Sequence, residues 1–135
     1  NYSINSLIHW INTLDIPSCL LASSLHDLKS GQVIFDILKF ILYARGQAVN
    51  DESFLNFTQE NDQVFVSNFD GILSILKTLP GIDLPANIQR LRGGDIVFKT
   101  QSMIDLLTFF RTLMVGTTIE EETEGGFSPS SDLGP

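Results

Sequence analysis

Leu7-Ile8-His9-Trp10-Ile11-Asn12-Thr13-Leu14 sets Leu7, Trp10, Ile11 and Leu14 at i, i+3, i+4 and i+7, so one helical face carries all four. Asp27-Leu28-Lys29-Ser30-Gly31 follows and leads through a turn into an apolar segment over 32–43. There Ile34, Ile37, Leu38, Ile41 and Leu42 make a helical stripe, while Phe35 and Phe40 add apolar surface on other sides. A helix apolar nearly all round must be covered nearly all round, so this segment reads as the centre of a packed helical core. The first helix, with Ser3 as its N-cap, is expected over 4–14 and to be anchored by Trp10. Truncating a buried Trp10 to Ala would cost about 3–5 kcal/mol, a large share of a typical 5–15 kcal/mol stability.

The remaining periodicity is also helical. Pro17 opens a short turn through Leu20 and Leu21. Gly46 closes the central helix, 47–53 read as a polar loop, and Phe54, Leu55 and Phe57 as a short element folded onto the core. Phe65, Phe69, Ile72, Leu73, Leu76 and Leu79 repeat at helical spacing over 61–79, and Pro80-Gly81 stops them. A short helical piece is expected over 87–91. Asp95-Ile96-Val97-Phe98 has β-propensity but no partner strand, so it reads as an extended or single-turn connector. The last helix is expected over 100–114, its face made by Met103, Leu106, Leu107, Phe110, Leu113 and Met114, with Gly116 as its end. The fold class is thus all-α, four main helices plus short connecting ones, in one domain over 1–116. Residues 117–135, rich in acid, Gly, Ser and Pro, read as a disordered linker carrying a proline-directed phosphorylation motif at Ser128-Pro129.

Composition narrows the function. The net charge of −8 is uneven: residues 1–116 hold eleven acidic and eight basic side chains, and 117–135 hold five acidic and no basic ones. Nucleic acid and anionic membrane are both disfavoured, since each is bound through clustered Lys and Arg. The longest apolar run, 33–44, falls well short of the roughly 20 residues that span a bilayer. The single Cys19 excludes an intramolecular disulfide, favours a reduced compartment, and has no nearby base to make it a nucleophile. Asp51, Glu52, Glu60 and Asp62 lack calcium-loop spacing and read as loop and N-cap acids. No enzyme chemistry, metal or cofactor is expected. The chain opens on Asn1, as a piece of a longer protein would.

Leu7-x-x-Trp10-Ile11-Asn12-x-Leu14, then Asp27-Leu28-x-x-Gly31, then Asp95-Ile96-Val97 before a leucine-rich helix, resemble the calponin homology fold. More narrowly, they are similar to the divergent domains at the N-termini of Hook, NuMA and several centrosomal and ciliary proteins. The resemblance covers residues 4–115 and implies structural core roles for Trp10, Leu28, Gly31 and Ile96. It implies a cytoplasmic, cytoskeletal setting at the centrosome, spindle pole or cilium, in a parent protein that dimerises through a coiled coil elsewhere. Actin-binding members come as tandem pairs, and only one domain fits here. Microtubule-binding members present clustered cations, and this domain is net −3 over 1–116.

Two candidate surfaces follow. Ile75, Ile104 and Phe109 fall off the main stripes of their helices and could line an apolar groove for a partner helix, as Hook and NuMA domains accept a dynein light intermediate chain helix. Arg90, Arg92 and Lys99 flank Gly93-Gly94 and are the alternative, a small basic patch for tubulin or actin. Direct binding of that second kind would fade with added salt.

Overall fold

The computed structural model describes residues 2–14, 22–49, 52–53 and 55–124. Among them are seven helices and no strand: α1 (Ile4–Thr13), α2 (Leu25–Leu28), α3 (Gln32–Ala44), α4 (Asp62–Thr78), α5 (Ala86–Gln89), α6 (Gly93–Phe98) and α7 (Thr100–Glu124). The fold is all-α. None of these helices is long and apolar enough to cross a membrane. The expected turn at residues 17–21 with Cys19, the side chains of Asp51 and Phe54, and the tail from Gly125 with Ser128-Pro129 lie outside the described residues.

Helix α3 is the axis of the core. Val33, Ile34, Phe35, Asp36, Ile37 and Leu38 are buried in succession, followed by Ile41 and Leu42. Six consecutive buried positions span more than one turn, so α3 is enclosed on every side there. α7 packs against α1, α3, α5 and α6, while α4 packs against α6. Phe69 and Phe110 fill the space between these helices with no exposed surface.

Gly31 sets the entry to α3. It takes a left-handed φ of 91° as the N-cap, a conformation that Gly adopts without a Cβ penalty. It also faces α4 closely: a Cβ there would stand 3.4 Å from Ile72 and 3.5 Å from Asn68. Asn68, only 1 % exposed, holds this approach in place. Its Nδ2 donates to the Ser30 carbonyl and the Asn56 carbonyl, both at 2.9 Å, and its Oδ1 accepts from the Asn56 N–H at 3.0 Å. One amide therefore ties the α2–α3 turn and the 55–57 loop to α4. Leu55 and Phe57 of that loop are half-buried, with Phe57 6.1 Å from Phe35 between ring centroids.

Three features differ from the sequence-based expectation. On α1 the buried residues are Leu7, Ile8 and Ile11, and Trp10 is only half-buried at the rim. The helix is rolled so that Ile4, Leu7, Ile8 and Ile11 face inward, a set with the same i, i+3, i+4, i+7 spacing. The Arg111 guanidinium then stands 5.7 Å from the Trp10 ring centroid and 4.5 Å from that of Tyr2. Residues 93–98 form a helix where an extended or single-turn connector was expected. Gly93 lies directly on α4, where a Cβ would drive into the Val66 carbonyl, and its N–H donates to Asp70 Oδ1 at 2.7 Å. The Arg92 N–H donates to Asp95 Oδ2 at 3.1 Å, which caps the helix start and overrides the strand propensity of Ile96-Val97. Finally, α7 continues through Gly116 to Glu124, so the helix extends into the segment read as linker. A single Gly costs about 1 kcal/mol inside a helix, and the following glutamates are good helix formers.

Asp36 is the one acid carried into the core with α3, 6 % exposed, its Oδ2 without a hydrogen-bond partner. Burial pushes its carboxyl above the ordinary range and the nearby Glu52 adds to this, while Lys39 opposes it.

Three measurements check this account. Because Trp10 is half-buried, Trp10→Ala costs less than Phe110→Ala, which falls at about 3–5 kcal/mol in urea unfolding. Asn68→Ala leaves three half-buried backbone groups without their amide partner and lowers stability by about 2–4 kcal/mol. For Asp36 the folded state holds its proton more tightly than the unfolded chain. Its contribution is therefore most favourable below about pH 3.9, the unfolded value, and is lost as pH rises through the folded one. Asp36→Asn accordingly melts higher than wild type at pH 7.5, with the gap closing at or below pH 4.

Candidate functional site

Pro80-Gly81 turns the chain away from α4, and residues 82–91 return along α7. Pro85 precedes α5, and the Gln89 Nε2 donates to the Leu84 carbonyl at 2.7 Å, which pins this connector into a compact corner. Ile88 is buried against α7, while Ile82 and Leu84 stay half-buried. Between this corner and the edge of α7 lies a groove of about 410 Å³, within the size range of peptide- and ligand-accepting clefts. Its floor and walls are Ile82, Pro85, Ile88, Phe109 and Leu113. Arg45, from the end of α3, and Asp83, Asn87, Asp105, Thr108 and Thr112 supply its polar lining.

The three residues expected to share a groove do not share one. Phe109 reaches this groove as part of its floor, being 7 % exposed and set 6.4 Å from the Phe110 ring. Ile104 lines a separate depression with Tyr2 and Gln101, and Asp105 and Thr108 form the lip between the two. Ile75 lies on α4, beside Leu79, Pro80 and the residues that follow α3. The helix periodicity explains the split: departures from a stripe can fall on either flank, and each flank meets a different neighbour. Leu113, assigned to the inward face of the last helix, is half-buried and walls the groove, while Phe109 takes its place inside. Ile82, Ile88, Asp83 and Asp105 were not singled out from the sequence. The spacing of Ile82, Leu84 and Ile88 around Pro85 was the available sign of an apolar corner.

Arg90, Arg92 and Lys99 are all exposed, Arg90 at the end of α5 and the other two at either end of α6. Asp95 lies among them: Lys99 Nζ is 3.4 Å from its Oδ1, and Arg92 donates its N–H to Oδ2. The hydrogen bond from Arg92 N–H, joined by the Lys99 and Arg92 charges, holds the Asp95 carboxyl below the usual carboxylate range. The patch is therefore partly neutralised by an acid of its own. None of its three cations lines the apolar groove.

The structural core positions fall as follows. Leu28 and Ile96 are fully buried, Gly31 makes the left-handed turn against α4, and Trp10 stays at the rim. Among the described residues, no group of three or more His, Cys, Asp or Glu side chains is arranged to hold a metal ion. Comparison with protein-family models, curated proteins and solved structures gives no significant match for this chain.

Proposed function

We propose that this domain is a non-enzymatic protein-interaction module that docks an amphipathic helix of a partner in the groove between the 82–88 corner and α7. The observation that carries this reading is the groove itself: an apolar floor of Ile88 and Phe109, apolar walls of Ile82 and Leu113, and a polar rim. From Asp105 to Leu113 the α7 wall runs about 12 Å, the length of roughly two helical turns. A partner helix with apolar anchors at i, i+3 and i+4 or i+7 would cover that floor, which is how grooves of this kind select helices. The floor residues belong to the same core that encloses α3, so the site is preformed and little ordering is lost on binding.

The calponin homology resemblance supports a setting in a longer cytoskeletal protein of the centrosome, spindle pole or cilium. A motor-adaptor component such as a dynein light intermediate chain is then the kind of partner in view. Direct binding to microtubules or actin through Arg90, Arg92 and Lys99 is the weaker reading, because Asp95 offsets that patch and the folded region is net acidic.

Thr112→Trp is the direct test, since Thr112 is exposed on the groove wall and a large ring there obstructs it without touching the core. Fluorescence anisotropy with a labelled dynein light intermediate chain helix should show an affinity loss of about tenfold or more, with the circular dichroism unchanged. Undiminished binding by Thr112→Trp, together with loss in Arg90→Glu/Arg92→Glu, would assign binding to the basic patch instead.

A further inference from the structure

We infer that the helix accepted by this groove is a basic one, with Lys or Arg flanking its apolar anchors and read by Asp83 and Asp105. The inference rests on the docking reading above and adds the charge of the partner to it. Asp83 stands on the connector wall and Asp105 on the α7 wall, so acids flank the apolar floor from both sides. Arg45 is the one cation among the lining residues. Among the described residues neither Asp83 nor Asp105 is held in an ion pair. Asp105 accepts from the neutral Gln101 amide at 2.9 Å, a contact that orients its carboxylate and leaves its charge uncompensated. This differs from Asp95, which has its own cations, and from Asp36, which is buried.

A basic segment approaching the groove meets the negative field of Asp83 and Asp105 at its rim. Such a field raises the encounter rate and rejects acidic competitors, while the apolar anchors hold the complex. An acidic amphipathic helix with the same apolar face would set like charges against both rims.

The test uses the whole 135-residue chain and labelled helical peptides of about 18 residues, long enough to hold a helix. All share one leucine face, and the polar face is Lys, Gln or Glu. At low salt the Lys peptide should bind at least about tenfold tighter than the Glu peptide, with Gln between them. The ratio should fall toward one near 0.5 M salt, where the screening length is roughly 4 Å. Asp83→Asn/Asp105→Asn should bring it within about threefold while circular dichroism stays unchanged. Equal binding of the Lys and Glu peptides at low salt, or a ratio that the double variant does not move, would overturn the inference. If Thr112→Trp still weakens both peptides in that case, the docking reading stands without its charge preference. If no peptide binds, or Thr112→Trp is without effect, the docking reading fails and the inference fails with it.

Discussion

A helix that is apolar around most of its circumference cannot remain in water, and α3 is such a helix. From Val33 to Leu38 each residue is buried, so a neighbour must stand against every side of that segment. α2, α7 and the 55–57 loop, with Phe57 on Phe35, are placed by that demand. The demand also carries a cost. Enclosing α3 takes Asp36 into the core with an unpartnered oxygen, which burial drives toward its neutral form.

Polar groups hold the covering segments in place with few atoms. Asn68 uses both ends of one amide to fasten a turn and a loop to α4. Asn12 does the same at the other end of the chain, donating to the Ala22 carbonyl at 2.6 Å and accepting from the Ala22 N–H at 2.9 Å. Ala22 and Asn56 both lie outside the helices, so a side-chain amide substitutes for the backbone partner that a helix or strand would provide. Gly93 serves α6 in another way, since the missing side chain lets the backbone meet α4 directly.

Much of this was legible in the sequence because it follows from periodicity. The central helix, the 61–79 helix and the Ser3 cap are local signals, and each lies within a residue or two of where the pattern put it. The roll of α1 was not legible, since Leu7-Trp10-Ile11-Leu14 and Ile4-Leu7-Ile8-Ile11 fit the same spacing and only the neighbours decide between them. The helicity of 93–98 depends on contact with α4, far away in sequence, and propensity does not report it. The groove was half legible. Phe109 was marked as surplus to its stripe, but its partners Ile82 and Ile88 come from a connector whose path is set by tertiary contact. Asp83 and Asp105 stand 22 residues apart on different elements, and only the tertiary fold brings them to one rim.

Helix α7 divides its labour: its inner face completes the core around α3, and its edge beside residues 82–88 is the surface we propose for binding. Amide hydrogen exchange of the intact chain, with and without the Lys-face peptide at low salt, addresses that division most directly. Slowed exchange confined to residues 82–91 and 105–113, with α3 equally protected in both states, is the predicted result. Protection appearing instead at residues 92–99, or no change at any segment of the folded region, would contradict it.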